Sequence, residues 1–425
     1  MNNRSILSID LGSSYTKIAV RDDWDSRAGP VRVQTLATRD DPLLIPSTLA
    51  SVRRPNGISW LFGREATVQP HALLTRFYRD WKSDLFGQNE KKQKKAAYIA
   101  KLFFQKLRAS VPTEYRALEV RVGIPAFKKR QDGAELLKES LTKAGWKLAS
   151  GRPVVSEPEA NLWGILTRGR NKRIDYRPKS GEKDIGPQPG LIEMIDRNGG
   201  FSKALKRGIR STDRTQFSVM VIDIGGFTTD FGLMRIDTSF ALDYRKPNVD
   251  SHSVRLGVRD LDENVFEQLG SRSRAAIRKI TNERWEKLKV SLYNGRSQAV
   301  REKSVPGGMV VIGDGEEREK IRGAIEAFGF EVRDALNEFR REHPKVDAHA
   351  ITGGGSLIPG VMGVVRDACG GEYDGDFDLL TEEAARFQVN PHGDGTIAQV
   401  ERQLDENQKV IRIAGALGGA SVVLE

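Results

Sequence analysis

Two aspartates in matching surroundings define the chemistry available to this chain. Asp10 and Asp223 each end an apolar run and are each followed by a turn of small residues. The stretches containing them, ILSIDLGSSYTKIAV over 6–20 and VMVIDIGGFTTDFGL over 219–233, align without a gap. Asp10 falls on Asp223, Gly12 on Gly225, Ser13 on Gly226 and Thr16 on Thr229. Turn residues with little or no side chain let backbone N–H groups close on phosphate oxygens. A carboxylate at the strand end can hold the accompanying hard cation, usually through water. Two such units face to face would clamp one magnesium nucleotide between two lobes.

Three further groups could contribute. Glu157 stands where a strand passes into a helix, and there it can orient or activate a water or simply favour the helix dipole. Glu286 and Lys289 are three apart, hence on one helical face, as a ligand-facing pair or an ordinary surface ion pair. Gly353, Gly354, Gly355 and Ser356 form a turn after a strand in AITGGGSLIPG. Consecutive glycines there permit backbone packing against a flat ring or a phosphate.

The elements that must position these groups read as α/β. VRVQTLATRD continues the first hairpin as a third strand, and PLLIPSTLA and WLFG are short extended pieces. QNEKKQKKAAYIAKLFFQKLRAS has helical spacing, with Ala97, Ile99, Leu102, Phe103 and Leu107 as its apolar face. LEVRVGIP alternates like a strand and stops at Pro125, and DGAELLKESLTKAGW is a short helix ending near Gly145. PVVSEPEANLWGIL reads as strand then helix, with Pro158 in the first turn. VDSHSVRLGVRDLDENVFEQL and NERWEKLKVSLYN read as loops leading into helices.

Composition bounds the function. At 425 residues the chain is long enough for two or three domains, or two lobes of one unit. Its 38% hydrophobic and 29% charged residues fit a soluble globular protein. The single cysteine, Cys369, rules out an internal disulfide, fits a reducing cytoplasm and is expected to be a small buried hydrophobe. With the first strand so near Met1, no signal peptide is expected, and no apolar run approaches the ~20 residues of a membrane span. The expected location is cytoplasmic, with no membrane contact. Of the net charge of +11, the stretch 168–215 holds +7, from thirteen Lys/Arg against six Asp/Glu. Its Gly- and Pro-rich start reads as an exposed insertion. Clustered basic charge also attracts nucleic acid or acidic partners, without any nucleic-acid motif here to support that contact.

Read in order, Asp10-Leu-Gly-Ser, Glu157-Pro-Glu-Ala, Asp223-Ile-Gly-Gly-Phe-Thr-Thr-Asp, Gly257 with Asp260-Leu-Asp262, Glu286-Lys-Leu-Lys289 and Gly353-Gly-Gly-Ser resemble the actin/heat-shock-chaperone/sugar-kinase superfamily. Within it the chain looks most like an actin-like ATPase of the bacterial plasmid-segregation (ParM/StbA) type. The resemblance implies an α/β fold of two lobes, each a duplicated ribonuclease H-like mixed sheet flanked by helices, with the nucleotide cleft between them. Lobe I would span 1–165, with a smaller subdomain at about 40–95. The segment 166–215 would be an insertion, and lobe II would span 216–425, with a smaller subdomain at about 258–345. Gly12, Ser13, Ser14 and Lys17 match the first phosphate loop, and Gly225, Gly226, Thr228 and Thr229 the second. Asp10 and Asp223 match the aspartates around hydrated Mg2+, and Glu157 the group that positions the attacking water. Gly354, Gly355 and Ser356 match the adenosine motif, and Glu286 and Lys289 the adenine/ribose helix. ATP and Mg2+ are the implied cofactors, without a basis for choosing ATP over GTP.

The implied activity is slow ATP hydrolysis coupled to lobe closure, used for filament formation in plasmid or DNA segregation through a DNA-bound adaptor. A non-polymerising regulatory or chaperone-like ATPase is the alternative, and a small-molecule kinase is disfavoured by Glu157-Pro158. The chain departs from the pattern in the long gap between Glu157 and Asp223. It departs again in its indistinct C-terminal connecting helix, for which IRIAGALGGASVV is the candidate, after a turn at RFQVNPHG.

Overall fold

The computed structural model describes residues 6–21, 31–33, 44–69, 74–127, 133–167, 216–237, 248–302, 307–344, 346, 348–370, 415, 416 and 419. The basic stretch 168–215, RFQVNPHG and most of IRIAGALGGASVV lie outside these residues. The architecture is mixed α/β, with mixed sheets flanked by helices.

The first mixed sheet is built on the hairpin of β1 (Ile6–Leu11) and β2 (Tyr15–Arg21), extended antiparallel by β3 (Val31–Val33). β8 (Glu119–Ile124) and then β10 (Val154–Ser156) add in parallel on the other side of β1. Short strands β4 (Ile45–Pro46) and β9 (Lys147–Leu148) pair with β2 and β8. The second mixed sheet repeats the rule. β11 (Gln216–Ile224), β12 (Thr229–Asp237) and β13 (Asn248–Val254) form an antiparallel meander, and β16 (Ala348–Thr352) lies parallel to β11 on its free side.

The repeat holds down to register. Asp10 lies opposite Lys17 across the first hairpin, and Asp223 lies opposite Asp230, its aligned counterpart, across the second. The parallel ladders also begin at aligned residues, Ile6 opposite Glu119 and Val219 opposite Ala348. Strand β13 corrects the sequence expectation of a loop over 249–254. Its run Val-Asp-Ser-His-Ser-Val lacks apolar alternation, and only its pairing to β12 makes it a strand.

Two small sheets branch from these. β5 (Leu49–Arg54) is flanked by β6 (Gly57–Phe62) and β7 (Thr75–Tyr78), and β14 (Gln298–Arg301) pairs with β15 (Met309–Ile312). The helices are α1 (Arg64–Thr67), α2 (Trp81–Leu85), α3 (Glu90–Ser110), α4 (Gly133–Lys143), α5 (Glu157–Thr167), α6 (Val258–Gln268), α7 (Ser271–Ile277), α8 (Asn282–Tyr293), α9 (Glu316–Glu342) and α10 (Pro359–Gly370). Asn89 caps α3 by accepting from the Lys92 amide (3.0 Å). The buried stripe of α3 is Ala96, Ile99, Ala100, Phe103, Phe104 and Leu107. Ala97 and Leu102 sit at its margin rather than in it, since the i, i+3, i+4 row passes through their neighbours.

Two hydrophobic cores follow. One joins β1, β2 and β8 to α2, α3 and α4, and the other joins β11, β12 and β16 to α6, α8, α9 and α10. Cys369 is buried in the second, as expected of it. The two assemblies interlock. α5 leaves the first sheet at β10 and packs on β11–β13, where Gly232 gives room to Pro158 and Leu162. In return, Gly415 and Gly419 of the C-terminal segment are helical and lie against Asp10 and Ser8 of β1. The fully buried Arg121 of β8 donates through Nη1 to the Gly419 carbonyl (2.9 Å). The small residues at 415 and 419 are therefore steric necessities: a Cβ at Gly415 would lie 2.8 Å from Asp10 Oδ2. Among the described residues, no helix is long and apolar enough to cross a membrane.

Candidate functional site

Both hairpin turns open onto one cleft of about 840 Å³. Of the residues selected from sequence, Asp10, Gly12, Ser13, Ser14, Lys17, Glu157, Asp223, Gly225, Gly226, Thr228, Glu286, Lys289 and Gly354 line it. Thr229, Gly355 and Ser356 do not. Thr229 is buried behind the wall, donating its hydroxyl to the Leu256 carbonyl (2.7 Å). Gly355 is pressed on the Ile224 side chain, and Ser356 turns its hydroxyl to the Gly353 carbonyl (2.7 Å). These three shape the site from behind.

The two turns face each other closely. A Cβ at Gly226 would lie 3.3 Å from Ser14 Oγ, so the first turn meets the second across the cleft. Gly353, at φ 84°, is in the left-handed region where a side chain would be strained, and any Cβ there would strike the Asp223 carboxylate. The triple-glycine turn is thus seated directly on the second aspartate.

Each aspartate has a polar partner. Lys17 Nζ donates to Asp10 Oδ2 (3.0 Å), within the same hairpin. Asn161 Nδ2 donates to Asp223 Oδ2 (2.6 Å). Loss of water around Asp223 raises its pKa above the usual carboxylate range, with Asp10 adding to the rise and Lys17 opposing it. The Asp10 charge beside the desolvated Asp223 makes the cleft a place that favours a cation.

Glu157 is buried and accepts from Lys82 Nζ (2.6 Å), a lysine that is itself buried. Burial raises the Glu157 pKa, Asp10 and Asp223 push it the same way, and Lys82 restrains the rise. Burial acts to deprotonate Lys82, but the charge and hydrogen bond of Glu157, with the charges of Asp230 and Asp10, together outweigh it and raise its pKa. Beyond this pair lies Asp230, accepting from Thr228 Oγ1 (2.8 Å) and from Ser253 Oγ. Burial and the charges of Glu157 and Asp223 hold its pKa well above the carboxylate range.

At the far end of the cleft, Lys289 is buried rather than at the surface. Its Nζ meets Glu286 Oε1 (2.9 Å) and Asp262 Oδ2 (2.8 Å), while Tyr293 Oη donates to Asp262 Oδ1 (2.5 Å). Burial raises the Glu286 pKa, with Asp262 adding and Lys289 opposing.

Sequence reasoning missed Asn161, Lys82 and Asp230 as site residues. Asn161 follows Glu157 by four residues, so helical spacing alone places both on one face of α5. Asp230 occupies the hairpin register of Lys17, and the repeat itself could have identified it. Lys82 carries no local signal, because it arrives from α2 across 75 residues of chain. Among the described residues, no group of three or more His, Cys, Asp or Glu forms a direct metal cage. No protein-family model matches the chain, and no curated protein matches it either.

Proposed function

We propose that the chain is an actin-like ATPase, with the two mixed sheets as duplicated lobes and the cleft between them as a magnesium–ATP site. The observation carrying this reading is the convergence of two register-matched, aspartate-tipped hairpins on one cavity, with Gly226 opposite Ser14. The reciprocal packing, α5 on the second sheet and Gly415 and Gly419 on the first, supports a two-lobed body able to hinge.

The donor set fits the implied cofactor: two carboxylates face the cleft, Asp10 bonded to the single ammonium of Lys17 and Asp223, with a raised pKa, to the neutral amide of Asn161. Asp10 and Asp223 would hold Mg2+ through water, and the ion, when bound, offsets phosphate charge. The chain's own residues do the rest. Turn amides around Gly12–Ser14 and Gly225–Gly226 bind phosphate oxygens, and Lys17 adds a positive charge beside them. Glu157, poised by burial and restrained by Lys82, accepts a proton from the attacking water. Glu286, Lys289 and Gly354 face the nucleoside end.

Self-assembly into filaments for plasmid or DNA segregation is the favoured use of the hydrolysis cycle. Met309 and Val311 expose an apolar edge on β15, and Ile58 exposes another on β6, both available to a second copy. A non-polymerising switch is the alternative. Titration calorimetry with Mg–ATP tests the site. Wild type should bind, and Asp223→Ala should lose about tenfold or more in affinity, the loss expected for a cation-holding carboxylate. Equal affinity in the two proteins would remove Asp223 from the site, and an absence of binding in wild type would end the reading.

A further inference from the structure

Helix α2 is tied to everything the proposed reaction needs. Toward the first turn, Trp81 Nε1 donates to the Ser47 carbonyl (3.0 Å). Ser47 in turn donates its hydroxyl to Gly12 O (2.7 Å) and its amide to Ser14 O (2.9 Å). Toward the second turn, the Val258 and Arg259 amides at the start of α6 donate to Gly225 O (2.9 Å) and Gly226 O (3.0 Å). Gly257 lies so close that a Cβ would sit 2.6 Å from the Gly226 carbonyl. The α6 start and the second turn therefore move as one body.

From that body two arginines cross to α2. Arg259 Nη1 donates to Ser83 Oγ (3.0 Å) and lies 3.9 Å from Asp80 Oδ2, while its Nε is held by Glu263 (2.8 Å). Arg255 Nη2 donates to Phe86 O (2.5 Å), and its guanidinium lies 5.1 Å from the centre of the Phe127 ring. Phe127 meets Phe227 of the second turn edge to face. Between Trp81 and Ser83 stands Lys82, whose ammonium holds Glu157. Asp80, just ahead of α2, has a left-handed backbone at φ 54°, a strained conformation for a residue other than glycine.

We propose that Arg259 is a positioning residue that couples the second phosphate turn, through α2, to the Lys82–Glu157 pair. The proposal rests on the ATPase reading above. A phosphate seated on the Gly225–Gly226 turn fixes the α6 start, Arg259 then fixes Ser83 and Asp80, and α2 presents Lys82 to Glu157. Arg255 is a second strut of the same brace, gripping the C-terminal end of α2. Arg259 bonds to α2 and to Glu263 and does not line the cleft of the two hairpin turns, so its loss should affect turnover more than affinity.

Arg259→Gln removes the charge and is two bonds too short to keep the Ser83 contact, at a partly exposed position where the fold tolerates it. Turnover should fall about tenfold with the Kd for Mg–ATP changed less than about twofold. Ser83→Ala, at the other end of the same bond, should give the same split. In a Glu157→Gln background the Arg259→Gln change should have no further effect on the residual rate, because both act on one step. Hydrogen exchange gives a readout apart from activity. A non-hydrolysable ATP analogue should protect both 12–14 and 80–87 in wild type, but only 12–14 in Arg259→Gln. Unchanged turnover, additive losses with Glu157→Gln, or retained protection of 80–87 in the variant would overturn the coupling while leaving the ATPase reading intact. Absence of protection at 12–14 in wild type would overturn both.

Discussion

A buried carboxylate paired with a buried lysine is balanced between two opposing costs, and Glu157 illustrates the balance. Desolvation and the nearby Asp10 and Asp223 favour its neutral form, while the Lys82 ammonium at 2.6 Å favours its charged form. Such a group accepts a proton more readily than a free surface glutamate, as a water-activating base must. On the proposed reading, Glu157→Gln preserves the shape and the Lys82 contact but removes the basic oxygen. Its kcat should fall by about 10²-fold or more, with ATP affinity retained. Single-turnover phosphate release measures this directly, and a variant that hydrolyses at the wild-type rate would leave Glu157 as the buried partner of Lys82 and nothing more. Asp230 differs from Glu157 in being bonded to two hydroxyls, those of Thr228 and Ser253, rather than to an ammonium. Burial and the charges of Glu157 and Asp223 push its pKa well above the ordinary value.

Among the elements, β16 carries both a functional turn and a stability switch. It runs into the Gly353–Gly354 turn seated on Asp223, and its second residue is His349, buried beside Arg340 of α9. Burial, with Arg340 adding, lowers the His349 pKa to about 4 from about 6.5. The folded protein therefore keeps this imidazole neutral where the unfolded chain takes up a proton. Its contribution to stability is complete above pH 6.5 and is lost as the pH falls toward 4. At roughly 1.4 kcal/mol per pH unit, moving from pH 6.5 to pH 5 costs about 2 kcal/mol through this one residue. Urea unfolding of wild type and His349→Gln at both pH values isolates the effect, since the raised carboxylates titrate alike in the two proteins. The variant should lose about 2 kcal/mol less than wild type across that interval, and parallel pH slopes would show that His349 titrates freely in the fold. Helices α5 and α6 both begin at the cleft, with Glu157 and Val258 as their first residues lining it.

For the whole molecule, the interlocking of the two cores would, on the proposed reading, convert cleft contents into shape. α5 is anchored to the second sheet while its first residue serves the cleft, and the C-terminal segment is anchored on the first. A ligand joining Ser14 to Gly226 would pull both anchors together, and on the proposed reading this closure controls assembly. Sedimentation with ATP, with ADP and without nucleotide tests the consequence: a filament-former should pellet in one nucleotide state and remain in the supernatant in the others. A chain that binds and hydrolyses ATP yet never pellets would transfer the reading to the non-polymerising switch.

The sequence by itself determined the hairpins, their alignment and the turn chemistry. These depend on local spacing: apolar runs ending in aspartate, small residues that permit tight turns, and helical periodicity along α3, α4 and α5. The strand over 249–254 was hidden because its polar residues acquire strand geometry only by pairing with β12. The burial of Lys289 was hidden because its partner Asp262 lies on another helix, 27 residues away. Lys82, Asn161 and Asp230 gained their roles from the meeting of α2, α5 and β12 around Glu157 and Asp223. Electrostatic energy depends on distance and on exclusion of water, and neither quantity exists until separate stretches of chain close around the same cavity. Tertiary structure alone therefore decided which of the chain's many charged residues share one site.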